Sequence, residues 1–206
     1  MCPKQVNSGA IMVEKKRTYL LRKVAGRFIK LDPQDFYDPR ILNSSLMLES
    51  GRRVVVCDYK NKKYFSLPRL ILNAQKGQIV DHINREPFDN RRENLRIVNA
   101  RQSNLNRRLR SNTGFIGVSK TKRTDRADKF YYEAYFQPKD GKRKKFCASF
   151  TPDGLILAAF ARDKFVLQAG DEDYAPLNFP FFKNEPFKSL LLKENLNDYK
   201  SGAVGF

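Results

Sequence analysis

The stretch at residues 80–98, VDHINREPFDNRRENLRIV, constrains the fold more strongly than any other part of this chain. Residues 78–83 and 95–98 have the composition of short strands, and the segment between them is rich in Asn, Asp, Pro and Arg, which is typical of a chain reversal. Asn99 is suited to cap a helix that continues through Leu105 and Leu109. The sequence therefore predicts a β-hairpin followed directly by a helix.

His82, the only histidine of the chain, follows Asp81 on the first of these strands. A neutral imidazole can take a proton from water, and carboxylate and amide oxygens are ligands that hard divalent cations prefer. Such groups suit hydrolysis of a phosphodiester with one metal ion. An isolated Asp-His pair is usually incidental and Asn-rich turns are common, so this hypothesis depends on the order of the whole stretch.

That order resembles the HNH homing endonucleases, also called ββα-metal nucleases, in V-D-H-I-N, D-N-R-R-E-N-L-R and Q-S-N-L-N-R. The resemblance implies cleavage of double-stranded DNA with one Mg²⁺ or Mn²⁺ ion per site, and no zinc. It also implies that His82 is the general base, that Asp81 is a metal ligand, and that Asn94 supports catalysis by bracing the loop and orienting the histidine strand. Neighbouring residues of a strand point to opposite faces, so Asp81 and His82 can address one phosphate only if the strand twists at its end.

The helix supplies the second expected metal ligand. In the family this ligand is usually an asparagine five residues after the valine that matches Val98, and Ser103 occupies that place here, with Asn104 next. One residue along a helix is a rotation of about 100°. Ser103 is therefore the ligand in the family register, and Asn104 is the ligand if the junction between strand and helix has shifted.

Charge indicates a polyanionic partner. The chain has 206 residues and a formal net charge of +18, and each phosphate that binds a cationic side chain releases condensed counterions. RNA-binding proteins share this profile, and a run of charges on a helix is often only a solvated face. We predict that the following arginines of the hairpin and helix contact DNA: Arg85, Arg91, Arg92, Arg101, Arg107, Arg108 and Arg110.

The cysteines and the absence of long apolar runs indicate the compartment. Cys2, Cys57 and Cys147 are far apart and form no C-x-x-C pair, which suits free thiols in a reducing environment. No apolar run reaches the length of a membrane span, and the first residues lack the core of a signal peptide. We expect a cytoplasmic protein without a membrane or small-molecule partner, and the sequence does not select an oligomeric state.

Four parts of an α+β chain are expected: a loose basic N-terminus (1–15), a nuclease domain (16–110), a second small domain (111–180) and a tail (181–206). In the second domain, residues 115–118, 130–137 and 143–150 read as strands. Thr151 is suited to cap the helix that follows, and Gly170 to end it. The tail contains a short amphipathic segment that either covers one of the domains or mediates dimerisation.

The second domain resembles the plant ethylene-response-factor type of DNA-binding domain in G-F-I-G-V, Y-E-A-Y-F, K-F-C-A-S-F, the Ala-rich helix and L-N-F-P. That domain lays a three-stranded sheet in the DNA major groove. The resemblance places seven residues at the positions that read DNA in that domain, although Glu133 would face phosphate unfavourably: Ile116, Ser119, Tyr132, Glu133, Tyr135, Lys144 and Phe146. Several of these replace the arginines and tryptophans of the plant pattern, so its base preference does not carry over. We also predict a DNA contact from Lys120.

Three functions follow from these observations. The first is a metal-dependent DNA endonuclease of the homing or mobile-element kind. The second is an HNH-fold DNA-binding protein that has lost turnover because Ser103 replaces the usual ligand. The third, a basic RNA-binding protein, is suggested by charge alone.

Overall fold

The computed structural model describes residues 11–14, 17–58, 63–107, 111–122 and 130–199. The chain forms two compact units, Met1–Asn104 and Leu105–Phe206, and each has its own hydrophobic core. The division falls within the helix after the hairpin, a few residues before the expected boundary at 110. The α+β class is confirmed. Among the described residues, no helix is both long and apolar enough to cross a membrane.

Small antiparallel sheets and short helices build the described part of the first unit. The first sheet contains β1 (Ile11–Glu14), β2 (Arg17–Val24) and β3 (Arg27–Leu31); the second contains β4 (Ser45–Glu49), β5 (Arg53–Asp58) and β6 (Lys63–Ser66); the third contains β7 (Ile79–His82) and β8 (Leu95–Val98). The helices are α1 (Pro33–Phe36), α2 (Pro39–Leu42), α3 (Leu67–Ile71) and α4 (Ala100–Leu105).

The N-terminal segment differs from its prediction. Residues 11–14 were expected to be loose, but they form β1, which pairs with β2 residue for residue from Ile11 with Leu20 to Glu14 with Arg17. Backbone hydrogen bonds to β2 thus hold residues 11–14 as a strand, although the sequence of these residues has no strand periodicity. The remaining residues of the expected loose segment lie outside the described part of the chain.

The core of the first unit forms where these elements meet. Ile29 and Leu31 alternate into it from β3, and Ile41, Leu67 and Ile71 enter it from α2 and α3. All five side chains are fully buried. Because residues two apart on a strand share a face, the same alternation turns the intervening side chains of β3 away from the core.

Helix α4 begins with a capping box. Asn99 Oδ1 accepts a hydrogen bond from Gln102 N at 2.9 Å, and Gln102 Oε1 accepts one from Asn99 N at 3.0 Å. This reciprocal pair satisfies two amides at the start of the helix, as predicted for Asn99. The helix ends at Leu105, whereas we expected it to continue to Leu109, which lies outside the described residues.

The second unit is a three-stranded antiparallel sheet packed against one long helix. Its strands are β9 (Val118–Lys122), β10 (Phe130–Phe136) and β11 (Lys144–Ser149), with β10 in the centre, and the helix is α5 (Pro152–Gln168). The strand predicted at residues 115–118 is wrong, because β9 begins only at Val118. Asn178 explains the difference: its side chain accepts from Ile116 N at 2.7 Å and donates to Ile116 O at 3.1 Å, in place of a neighbouring strand.

The start of α5 lies very close to the sheet. Thr151 accepts a hydrogen bond from Gly154 N at 3.1 Å, so the predicted cap is confirmed. A Cβ at Gly154 would lie 2.1 Å from Ser149 O, and only glycine allows this approach of helix and strand. The tail adds α6 (Phe187–Lys193) against α5, and it buries Phe182 and Leu191 in the second core. Of the two roles expected for the tail, it therefore performs the covering one.

A buried carboxylate joins α1 to the loop between β7 and β8. Asp35 is 2% exposed and accepts two hydrogen bonds from the guanidinium of Arg92, at 2.9 and 2.6 Å. Asp32, at the N-cap position of α1, makes no side-chain bond to its own helix and accepts from Arg92 N at 2.8 Å instead. The first turn of α1 thus holds the loop through Arg92.

We expect Asp35→Ala to destabilise the first unit by about 1–3 kcal/mol, because it removes two bonds to a charged group at a buried position. Glu49→Ala, which removes an exposed partner of Arg53, should cost less than about 1 kcal/mol. Native-state hydrogen exchange of the β3 and β5 amides measures the loss of unfolding free energy of the first unit in each variant. Equal loss of protection in the two variants would contradict the role of Asp35.

Candidate active site

The register of the β7–β8 hairpin separates the two residues of the Asp-His pair. Asp81 lies opposite Arg96 and His82 opposite Leu95, so the adjacent side chains leave the strand on different faces. Arg96 Nη2 lies 3.0 Å from Asp81 Oδ2, and this ion pair is largely shielded from solvent. His82 ends the strand and faces the loop that follows.

His82 is held by a buried asparagine. Its Nε2 lies 3.4 Å from Oδ1 of Asn90, whose side chain is 0% exposed. The amide nitrogen of Asn90 donates to Pro87 O at 3.2 Å, which turns Oδ1 toward the imidazole. Because this oxygen only accepts hydrogen bonds, Nε2 donates to it in the tautomer that carries the ring proton there.

The surroundings of His82 favour its neutral form. Burial lowers the pKa of the imidazole below its usual 6.5, and it outweighs the opposing effects of the Asn90 hydrogen bond and of the Asp81 and Asp89 carboxylates. A lowered pKa in the folded state stabilises the fold above about pH 6.5, and this contribution is lost as the pH falls through the lowered value. At neutral pH the imidazole is therefore a base.

Asn94 braces the loop from within. It is buried, its Oδ1 accepts from Asn84 N at 2.9 Å, and its Nδ2 donates to Asp89 O at 2.7 Å. Its own carbonyl accepts from Ile83 N at 2.8 Å, directly after the histidine. The side chain and backbone of Asn94 therefore connect the middle and the end of the loop to the residues that directly follow β7.

The loop is also joined to β3 through the backbone. Lys30 N donates to Phe88 O at 2.8 Å, and Asn90 N donates to Lys30 O at 3.0 Å. These bonds fix the main chain of Asn90, whose side chain in turn contacts His82. The position of the imidazole therefore depends on a strand that lies more than fifty residues earlier in the sequence.

Two arginines predicted to bind DNA are occupied by carboxylates of the first unit. Arg91 binds Asp89 at 2.7 Å and Glu93 at 2.8 Å, and Arg92 binds Asp35. Although burial acts to raise the pKa of Asp89, the hydrogen bonds and charge of Arg91 lower it overall. These guanidinium groups stabilise the loop, and their contact with DNA stays a prediction.

The other predicted arginines differ in exposure. Arg85 is half-buried and has a backbone φ of +63°, which is uncommon for a residue with a side chain. Arg101 is half-buried on α4, and Arg107 is exposed beyond its end. Arg108 and Arg110 lie outside the described residues.

The metal ligands expected on α4 are placed differently from each other. Ser103 is half-buried and Asn104 is exposed, and which of them faces a cation stays a prediction. Among the described residues, no three His, Cys, Asp or Glu side chains come together as a metal site. Asp81, Ser103 and Asn104 offer only oxygen ligands, which match Mg²⁺ or Mn²⁺ in type.

Strand alternation corrects the predicted DNA-binding face of the second unit. Ala134 and Phe136 of β10 are buried against α5, so Tyr132 lies on their side, partly buried in the same core. Phe146 pairs with Ala134 and is only 7% exposed. Phe146 lies in the core and Tyr132 packs against it, so neither side chain is on the outer face of the sheet.

Lys120 and Lys144 lie on this helix-facing side as well. Lys120 pairs with Tyr132, and its Nζ lies 4.0 Å from the centre of the Phe130 ring. Lys144 pairs with Phe136 and donates to Gln168 Oε1 of α5 at 2.7 Å. Neither lysine belongs to the outer face of the sheet.

Tyr135, Glu133 and Ser119 lie on the outer face of the sheet, as the resemblance requires. Arg143 lies 4.1 Å from the centre of the Tyr135 ring, and Lys145 pairs with Glu133 at 3.4 Å. Ile116 precedes the sheet in a turn. Of the seven positions carried over from the plant domain, Ser119, Glu133 and Tyr135 share the outer face of the sheet.

Asn90 and Arg96 contact the predicted site residues His82 and Asp81, and neither is among the sites predicted from the sequence. Arg96 lies on the strand predicted at 95–98, but the predicted bounds do not by themselves give the register that places it opposite Asp81. Nothing in the residue order distinguishes Asn90 from Asn84 as the partner of His82.

Residues 74–105 match a family model described as HNH endonuclease. The match covers the hairpin, the loop that holds His82, and α4. No curated protein and no solved structure is significantly similar to this chain. The family match supports an HNH nuclease domain, and with it nucleic-acid binding and nuclease activity.

Proposed function

We propose that this protein is a metal-dependent endonuclease that hydrolyses phosphodiester bonds in double-stranded DNA. The observation that carries the proposal is the geometry of His82: a neutral imidazole, held through Nε2 by Asn90, inside the segment that matches the HNH endonuclease family. The resemblance in sequence further suggests a homing or mobile-element enzyme. The net charge of +18 supports a polyanionic substrate.

In the proposed reaction, His82 Nδ1 takes a proton from a water molecule as its oxygen attacks the scissile phosphorus. A new P–O bond forms, the P–O bond to the leaving oxygen breaks, and the leaving oxygen gains a proton from solvent. Asn90 keeps the ring oriented and holds the Nε2 proton throughout. A lowered pKa suits this role because the base must be unprotonated at the start of each turnover.

Asp81 together with Ser103, or with Asn104, would hold the cation. Because Asp81 and His82 leave β7 on different faces, a twist at the end of this strand would have to bring both to one phosphate. Bound there, Mg²⁺ or Mn²⁺ would stabilise charge on the phosphate and the leaving oxygen. The Asp81 carboxylate is already paired with Arg96. The cation would therefore have to share this carboxylate with the guanidinium or displace the guanidinium from it. Arg96 would then be close enough to a bound phosphate to contact it.

The outer sheet face of the second unit is a proposed second DNA contact. Tyr135, Arg143 and Lys145 bring an aromatic ring and two cations to that face. Glu133 lies among them, but its charge is offset by Lys145. This set replaces the predicted contacts from Lys120, Tyr132, Lys144 and Phe146.

The Asp81–Arg96 ion pair also favours a second candidate, a DNA-binding protein without turnover. A carboxylate that is fully committed to arginine would not bind a cation. Nicking of supercoiled plasmid with Mg²⁺ or Mn²⁺ separates the two candidates, since the second one binds duplex DNA without cutting it. Tighter binding to structured RNA than to duplex DNA would instead support an RNA-binding protein.

We expect His82→Ala to reduce plasmid nicking by roughly 10²–10⁴-fold, because a positioned general base contributes about that much. Duplex affinity in gel shifts should stay close to that of the wild type. Ile79→Ala, which truncates an exposed side chain on the same strand, serves as the control and should retain activity. Nicking by His82→Ala at the wild-type rate would contradict the assignment.

Variants of α4 test which residue faces the cation. Ser103→Asn should increase nicking at limiting Mg²⁺, because an amide oxygen is a better ligand than a neutral hydroxyl, while Asn104→Ala should change little. Metal titrations of both variants against the wild type measure the effect. Loss of activity in Asn104→Ala with no gain in Ser103→Asn would establish the shifted register instead, and no change in either would remove α4 from the metal site.

A further inference from the structure

The hairpin of β2 and β3 is the most basic part of the first unit by sequence. Residues 15–31 contain seven lysines and arginines and no acidic residue. The two strands are joined by Ala25 and Gly26, which have φ values of +45° and +81°. Positive φ at both central residues matches the twist of the flanking strands and gives a tight, rigid hairpin.

One face of this hairpin turns away from the core. Lys23 pairs with Phe28, and Leu21 with Lys30, so these side chains lie opposite the face that carries Ile29 into the core. Phe28 is 59% exposed, and Lys23 beside it is also exposed. We call Lys23, Phe28 and Lys30 the basic hairpin face. A single exposed phenylalanine is ordinary, but this one lies between two lysines.

The basic hairpin face is continuous with the loop that holds His82. The backbone N–H of Lys30 donates to Phe88 O, and the Lys30 carbonyl accepts from Asn90 N. Two cations contact the ring of Tyr19. Lys30 Nζ lies 4.8 Å from the ring centre, and the Arg91 guanidinium lies 5.3 Å from it. The basic hairpin face is thus joined through Lys30 to the loop whose Asn90 side chain contacts His82.

We propose that the basic hairpin face binds the sugar–phosphate backbone of duplex DNA beside the scissile phosphate. The proposal rests on the proposed function, because that function supplies the duplex. Lys23 and Lys30 neutralise phosphates, and Phe28 packs against the sugars between them. The lack of acidic residues and the continuity with a phosphodiester site favour a nucleic-acid backbone over an acidic protein surface as the partner.

The test uses the full-length chain and a fluorescent duplex of about 30 base pairs, with EDTA present to prevent cutting, over a range of salt concentrations. Lys23→Gln should weaken binding by about three- to tenfold and reduce the slope of log affinity against log salt by about 0.9, the value for one phosphate contact. Phe28→Ala should weaken binding without changing the slope, because it removes no charge. Lys30 is left unchanged because its side chain covers Tyr19.

Lys193→Gln is the matched control. Lys193 is an exposed lysine on α6, which packs on α5 and so lies on the side of the second unit away from its outer sheet face. This variant should bind like the wild type. Circular dichroism of each variant confirms that the exposed substitutions leave the fold intact.

Each outcome decides between the hairpin proposal and the nuclease proposal. Wild-type affinity and slope in both Lys23→Gln and Phe28→Ala would overturn the hairpin proposal alone. Weakened binding by these variants, with no nicking of plasmid by the wild type in Mg²⁺ or Mn²⁺, would overturn the nuclease and leave the hairpin surface standing. Absence of duplex binding by the wild type, or tighter binding to a structured RNA of equal length, would overturn both.

Discussion

The candidate site depends on the backbone bonds between Lys30 and the loop at Phe88 and Asn90. A loop of polar residues has no hydrophobic reason to keep one conformation, and its ordering costs conformational entropy. Pairing with the edge of β3 offsets that cost and places the buried side chain of Asn90 against His82. The imidazole therefore takes its position from the rest of the first unit, through these backbone bonds and the buried side chain of Asn90.

Three arginines of the first unit stabilise its structure through ion pairs. Arg91, Arg92 and Arg96 each bind a carboxylate that is at most slightly exposed, and together they fix the loop, α1 and the hairpin. Removing one partner of such a pair leaves the other charge poorly solvated. This removal therefore costs more free energy of folding than the loss of an exposed ion pair. The cations left for a polyanion are those on exposed faces, such as Lys23. Net charge alone thus overstates the number of side chains available to a nucleic acid.

Local patterns predicted the elements of the fold well. The strand Leu95–Val98, the cap at Asn99 and the cap at Thr151 follow from hydrophobic period and hydrogen-bonding chemistry within a few residues. Contacts between distant residues were not predictable in this way: Asn178 replaces the strand expected at 115–118, and Lys30 positions Asn90 across 60 residues. The error in the second unit has another cause. Tyr132 and Glu133 are adjacent on one strand, so alternation already forbids both from facing the same duplex.

The protonation state of His82 can be measured directly, because it is the only histidine of the chain. Nuclear magnetic resonance of protein labelled with ¹⁵N-histidine reports the protonation and tautomer of this one ring without ambiguity of assignment. We predict a pKa below 6.5 and, above it, a neutral ring that carries its proton on Nε2 and leaves Nδ1 unprotonated. A pKa at or above 6.5, or a neutral ring protonated on Nδ1, would contradict the claim that the loop prepares His82 as a base.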